Sequence, residues 1–423
     1  MNRKTVSLMF LTLVFTGLFI CTGDVSAQTA KAKKPAKPTE AKDIYDLDKL
    51  KRLDVLLKNA VAKDEIPSAV CYISFVGEPI YYKAFGDAVR EDKGKALAKD
   101  AIFRIASQTK LITTIALMRL YEEGYFNLED PLKNYMPEFS NPVVRVSGSA
   151  EARNLVTRPA KGDITIRQLL SHSSGISYDR FGQDVEVIRY GYSIPTTDAL
   201  ARISKLPLKH DPGAGFTYGF SLDVAGRLAE VLTGMRLDSV LKKYVFDPLE
   251  MSNTAFYLTK NQAKRLVPVY SKPEVGGAVM LADSLDQNYP LEPNPAYFGG
   301  GAGLCSTVED YANVCNLIMN YGVYKKTRLL HKKTVEMMLS DQLFGVAGDY
   351  QFGLGLEIAT PQTFARTMKT IGSVRWSGYY GTEYFIDLKY KTVVQLYTNK
   401  LNWKAKQDVW AEVLKILYTS TLK

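Results

Sequence analysis

The sequence predicts an α+β fold: one antiparallel sheet built by both ends of the chain and flanked by helices, with a large, mostly helical region inserted between them. Three observations point to it. Ser68 to Phe85 holds two runs of β-favouring residues, SAVCYISF and PIYYKAF, parted by Val76-Gly77-Glu78, which reads as a hairpin. The far end of the chain returns to strands in Gly381 to Asp387 and Thr392 to Thr398, joined through Leu388 to Lys391. Between the two ends, from Leu111 to about Met338, helical patterns and loops dominate. A cleft is expected where the sheet meets the helical body and loops converge.

Taken in order, residues 1–27 have the form of a cleaved secretory signal. Arg3 and Lys4 are basic, Val6 to Ile20 is apolar, and Val25-Ser26-Ala27 offers small residues before Gln28. About 15 apolar residues fall short of the roughly 20 that span a bilayer, which argues against stable membrane insertion. The bulky Ile20 argues against a lipid anchor on Cys21. The expected destination is the periplasm or the exterior. Residues 28–42, rich in Lys, Ala and Pro, cannot bury a core and read as a flexible linker. The folded domain is then 43–423. Leu47, Leu50, Leu53, Leu56, Leu57 and Val61 recur at helical spacing near its start, and an amphipathic helix from about Lys404 to Tyr418 closes it.

Charge and cysteine content exclude several classes. Of the net charge of +10, residues 1–27 hold +1 and residues 28–42 hold +4, leaving a mild +5 on the folded part. No basic stripe interleaved with aromatics suggests a nucleic-acid partner. Cys71, Cys305 and Cys315 remain after signal cleavage, an odd and sparse set that is no disulfide framework. His172, His210 and His331 are scattered without metal-ligand spacing, so neither a metal nor another cofactor is expected.

The chemistry centres on RIASQTKLITTIALMR, Arg104 to Arg119. Ser-x-x-Lys also occurs at Ser239 and Ser420, so the tetrapeptide alone is weak. Ser107 differs because it opens the run Leu111, Ile112, Ile115, Ala116, Leu117 and Met118, too apolar for a surface helix. A helix start aims free N–H groups and positive potential at the pair, and Lys110, one turn on, can reach the Ser107 hydroxyl. Burial and the dipole would favour the neutral amine that a base requires. Spacing leaves two readings open: a nucleophile with an activating amine, or an N-cap serine beside a solvated lysine.

Five segments in order, spread over roughly 280 residues, resemble the serine β-lactamase and penicillin-binding-protein superfamily. The branch is that of class C β-lactamases, D-Ala-D-Ala carboxypeptidases and class VIII esterases. FRIASQTKLIT resembles its nucleophile motif, and DITIRQLLSHSSGI (Asp163 to Ile176) its helix-and-turn signature. FTYGFSLDVAGRLAEVLTG (Phe216 to Gly234) resembles the second catalytic motif. FGGGAGLCSTVEDYANV (Phe298 to Val314) resembles the Gly-rich turn and helix, and WSGYYGTEYFID (Trp376 to Asp387) the third motif.

The resemblance implies a β-lactamase-like fold with Ser107 as nucleophile, Lys110 as its activating partner and Tyr218 as proton carrier. It implies an oxyanion hole from the backbone N–H groups of Ser107 and Tyr379, and substrate contacts at Phe220, Trp376, Ser377 and Gly378. His172 is read as a satisfied structural histidine. Two departures bear on substrate: Phe220 stands where class C enzymes carry an asparagine, and Trp376 where the third motif carries Lys or His. Arg375, adjacent in a strand, faces the other way. Tyr218 to Gly226, Tyr-x-x-x-x-Asp-Val-x-Gly, resembles the esterase subset.

The expected function is a secreted serine hydrolase cleaving carboxylic esters through an acyl-serine, acting on a small-molecule ester, amide or lactam. The alternatives are a β-lactamase or D-amino-acid peptidase of the same fold, an acyltransferase, or an envelope binding protein with little turnover.

Overall fold

The computed structural model describes residues 40–148, 154–179, 194–272, 278–283, 287–291, 296–401 and 403–422. The expected signal segment and most of the expected linker lie outside these residues.

The sheet expected from the two chain ends is present. Helix α1 (Arg52–Ala62) turns Leu53, Leu57 and Ala60 inward at one-turn spacing. It is followed by the hairpin of β1 (Ala69–Phe75) and β2 (Glu78–Phe85). Val76 and Gly77 make the connection, both with positive φ (51° and 88°), the conformation that a tight hairpin turn requires. The central helices are α2 (Thr109–Glu122), α3 (Ser221–Thr233) and α4 (Val308–Met319). Then come the two-residue strands β3 (Gln351–Phe352) and β4 (Glu357–Ile358). The chain closes with β5 (Val374–Gly378), β6 (Thr382–Asp387), β7 (Thr392–Tyr397) and α5 (Trp403–Thr419).

The seven strands run β3-β4-β5-β6-β7-β1-β2, every neighbouring pair antiparallel. Strand β1 therefore joins the two chain ends, with Cys71 opposite Leu396 and Ile73 opposite Val394. Alternation then sorts side chains to two cores. Cys71, Ile73, Phe385, Val394 and Leu396 pack with Leu53, Leu57, Val413 and Leu417 of the terminal helices. Val70, Tyr72, Tyr384, Ile386 and Val393 face the helical body. A side chain such as Leu57, with no exposed surface, contributes about 1.5–3 kcal/mol by leaving water. Helix α2 is buried all round, from Thr109 to Met118, as a segment with apolar residues on every side requires.

The inserted region is less purely helical than the pattern suggests. It also holds two-stranded ribbons such as Val143–Ser147 with Val156–Pro159. These are short and largely exposed, so they carry little apolar alternation to read. At the sheet's outer end, β4 pairs only with Val374 and Arg375 of β5. Trp376 to Gly378 run on beyond that neighbour, and the backbone of Gly378 lies against Ile105: a Cβ there would sit 2.3 Å from the Ile105 carbonyl oxygen. The third-motif strand is thus seated beside the turn that carries Ser107.

Candidate active site

Ser107 sits in a short turn, Ala106–Gln108, at the entrance to α2. Ala106 has φ 42°, a left-handed conformation costing a non-glycine residue about 1–2 kcal/mol, and it turns the chain into the helix. Lys110 is 1 % exposed, and its ammonium group donates to three oxygens. These are Ser107 Oγ at 3.2 Å, Tyr178 Oη at 3.2 Å and the Gly301 carbonyl at 2.6 Å. All three N–H donors of an ammonium are thereby used. The cap position of α2 is Gln108 and no side chain caps it. The reading of a capping serine beside a solvated lysine is excluded by this geometry.

The surroundings of Lys110 run against the expectation of a neutral amine. Burial on its own lowers the Lys110 pKa, but the phenols of Tyr178 and Tyr218 and the carboxylate of Asp223 outweigh it and hold the amine above the ordinary lysine range. Lys110 is a buried cation at neutral pH. Its counter-charge comes through the Gly-rich turn: Gly301 gives its carbonyl to Lys110 and its N–H to Asp223 Oδ1 at 3.2 Å. Tyr297 donates to the same carboxylate oxygen at 3.0 Å. Burial pushes the Asp223 carboxyl upward, against the pull of Lys110 and of these donors.

Two phenols, not one, meet the lysine. Lys110 Nζ lies 4.7 Å from the ring centre of Tyr218, whose hydroxyl accepts the indole N–H of Trp376 at 3.3 Å. Tyr178 makes the direct hydroxyl contact, and its ring meets those of Tyr218 and Phe220 edge to face at 5.4 and 4.6 Å. Tyr178 is 38 % exposed, and desolvation of its hydroxyl beside Lys110 pushes the pKa up against the pull of the Lys110 charge. The HSSGIS segment positions both rings. The Thr217 N–H donates to the His172 carbonyl at 2.8 Å, and Ser174 and Ser221 share a 2.9 Å hydroxyl contact. Gly219 approaches so closely that a Cβ would lie 2.3 Å from the Ile176 oxygen.

The remaining anticipated residues divide. Gly378 brings the third motif to Ile105, so the Ser107 and Tyr379 peptides expected to form the oxyanion hole belong to adjoining segments. The Tyr379 side chain is half-exposed. Trp376 and Ser377 are partly exposed. Phe220 is buried at the cap of α3 against Tyr178, a wall of the cleft more than a contact surface. Arg375 faces away from Trp376 as alternation requires. Its guanidinium is held by Glu357 at 2.9 Å and Glu383 at 3.2 Å.

His172 is buried but not satisfied. Neither ring nitrogen has a hydrogen-bond partner, and the imidazole packs among Phe216, Tyr218 and Phe352. Burial, then the charge of Lys110, holds its pKa well below the ordinary value, so it is neutral and aromatic in role. His172→Phe is expected to change kcat/KM less than about tenfold, whereas loss of a general base would cost about 10²–10⁴-fold; steady-state kinetics on an ester separates the two.

The sequence assigns no catalytic role to Asp223, Gly301, Tyr297 or Tyr178. A carboxylate in the apolar start of α3 was the available signal for Asp223. Among the described residues, no three His, Cys, Asp or Glu side chains are grouped to hold a metal ion.

The fold that carries this site has counterparts among known proteins. The sequence pattern of the Beta-lactamase family matches residues 53–418. The chain belongs to the beta-lactamase family. Among relatives of this beta-lactamase-family chain is Esterase EstB of Burkholderia gladioli, 27% identical over 374 residues, 82% of this chain and 90% of that protein. Lovastatin esterase of Penicillium rubens is 31% identical over 283 residues, 65% of this chain and 70% of the other. The solved structure of EstCE1, described as a hydrolase with promiscuous acyltransferase activity, superposes with a TM-score of 0.72. It is 26% identical, over 88% of this chain and 99% of that one. Esterases and acyltransferases thus stand among the relatives, and they support a hydrolase-type enzyme.

Proposed function

We propose that this chain is a serine hydrolase that cleaves carboxylic esters of small molecules through an acyl-Ser107 intermediate. Ser107 Oγ attacks the ester carbonyl. Its proton passes to the Tyr218 hydroxyl, which relays a proton toward the leaving group beside Lys110. The oxyanion is received by the N–H groups of Ser107 and Tyr379. On collapse the C–O bond to the alcohol breaks and the alcohol takes the proton from Tyr218. Water then attacks the acyl carbon, gives its proton to Tyr218, and Ser107 leaves with that proton restored.

The observation that carries the choice of substrate is the state of the third-motif strand. Trp376 stands where a cation would face a carboxylate, and its N–H is spent on Tyr218. The neighbouring Arg375 is tied to Glu357 and Glu383. An ester needs neither a carboxylate contact nor the side-chain amide contact that Phe220 cannot make. For a cephalosporin, losing one charged and one neutral contact removes roughly 2–4 kcal/mol of transition-state binding, about 30- to 1000-fold in rate constant. Short-chain p-nitrophenyl esters are therefore expected to be turned over well and cephalosporins poorly. A cephalosporin whose kcat/KM equals that of the best ester would refute the ester assignment and favour a β-lactamase. The similarity to EstCE1 favours one extension: an alcohol replacing water in the second step makes the same site an acyltransferase.

A further inference from the structure

We propose that Asp223 is a positioning residue of this site: acting through Gly301, it fixes where the Lys110 ammonium sits and supplies the negative charge that keeps it cationic beside Ser107. The proposal rests on the reading of Ser107 and Lys110 as nucleophile and partner. Its basis is a continuous chain of contacts. Asp223 is 4 % exposed, and Gly301 lies between it and Lys110. The Gly301 N–H donates to Asp223 Oδ1 at 3.2 Å, and its carbonyl accepts from Lys110 Nζ at 2.6 Å. Only glycine fits there, since a Cβ on residue 301 would lie 2.3 Å from Asp223 Oδ2. The turn is held from the other side as well, Thr113 Oγ1 donating to the Gly300 carbonyl at 2.8 Å. A carboxylate and an ammonium, both buried, are thus bridged by one residue whose polar groups serve both. An aspartate enclosed only for packing would not need a side-chain-free neighbour that hands its carbonyl to the lysine.

The groups facing each charge are few. Lys110 meets the Ser107 hydroxyl, the phenols of Tyr178 and Tyr218, the Gly301 carbonyl and, by its charge, the neutral His172. Asp223 meets the Tyr297 hydroxyl, the Gly301 N–H and the start of α3, of which it is the third residue. Among the described residues, Asp223 is the carboxylate whose charge acts on Lys110.

The test is the rate at which a fluorophosphonate labels Ser107 as a function of pH, which reports activation of the nucleophile whatever its natural substrate. Asp223→Asn keeps the shape and the two acceptor contacts but removes the charge. Both limbs of the labelling profile are expected to move to lower pH by about one pH unit or more, because ammonium and phenol each lose their protons more readily. A purely structural aspartate would lower the height of the profile without moving it, and that result overturns the proposal. Tyr297→Phe strips one donor from the same carboxylate and leaves its charge less compensated, so its profile is expected to move to higher pH. Should the Asn variant not fold, an unmoved profile in Tyr297→Phe overturns the proposal. A wild-type protein that does not label at Ser107 overturns the nucleophile assignment itself, whereas a labelling wild type with unmoved variants overturns the role of Asp223 alone.

Discussion

Replacing Ser107 with alanine is expected to bring ester hydrolysis down to the buffer rate, a fall of at least about 10⁴-fold in kcat with the fold retained. The side chain is small, sits in a surface-reaching turn and makes one hydrogen bond, from Lys110, so its loss leaves the packing of α2 intact. Nothing near it can replace it. Ser171, Ser174 and Ser221 are buried, Ser171 paired with Ser173 and Ser174 with Ser221 where the HSSGIS turn meets α3. A control, Ser239→Ala, removes the second Ser-x-x-Lys serine, whose hydroxyl donates to Asp238, and should leave kcat unchanged. Assays on both proteins, with circular dichroism to confirm folding, decide the matter. Comparable losses in the two would refute the assignment.

The second large effect is at Lys110. Lys110→Met keeps the length and apolar stem of the side chain and deletes the charge, so kcat is expected to fall about 10²–10⁴-fold, the span of one proton-transfer function. The loss should appear in kcat more than in KM, because the ammonium contacts the nucleophile and the phenols. A second consequence separates this role from simple packing. With the cation gone, Asp223 becomes a buried carboxylate without its counter-charge, and Tyr178 loses the group that draws its pKa down. The variant should therefore be less stable at neutral pH and recover stability as Asp223 is protonated in acid. The sign follows from the direction of the effect: burial already raises the Asp223 pKa, and removing Lys110 raises it further, so the penalty lies above that pKa and fades below it. Thermal unfolding across pH reads it. A variant equally stable at acid and neutral pH would show that Lys110 and Asp223 are not coupled.

The parts of this site that were legible in the sequence are those governed by short-range periodicity. The spacing of Ser107 and Lys110, one helical turn apart at the mouth of an apolar run, made their pairing one of two readings, and the resemblance of the surrounding motifs chose it. The opposite facing of Trp376 and Arg375 follows from strand alternation. The closing of one sheet by both chain ends was legible because β1 and β7 each carry enough β-branched and aromatic residues to declare themselves. The strands β3 and β4, two residues each, leave no pattern.

What was not legible depends on segments meeting across long separations. The phenol of Tyr178 reaches Lys110 only because the HSSGIS turn docks on the start of α3 through Thr217, Gly219 and Ser221. The charge of Lys110 depends on Asp223, reached through a glycine far along the chain. Burial and a helix start alone argue for a neutral amine, whereas the counter-charge that opposes this lies in neither neighbouring segment. The left-handed Ala106 leaves no trace in composition, since alanine, unlike glycine, does not signal a positive φ.

The most direct measurement is to trap the intermediate. The purified protein is mixed with p-nitrophenyl acetate, quenched in acid within the first turnover, and mapped by tandem mass spectrometry. The expected result is one acetyl group per chain, on the peptide carrying Ser107, absent from Ser107→Ala and appearing with the burst of p-nitrophenol. A burst with the acetyl group on any other residue, or turnover with no acylated protein in the burst, would contradict covalent ester cleavage at Ser107.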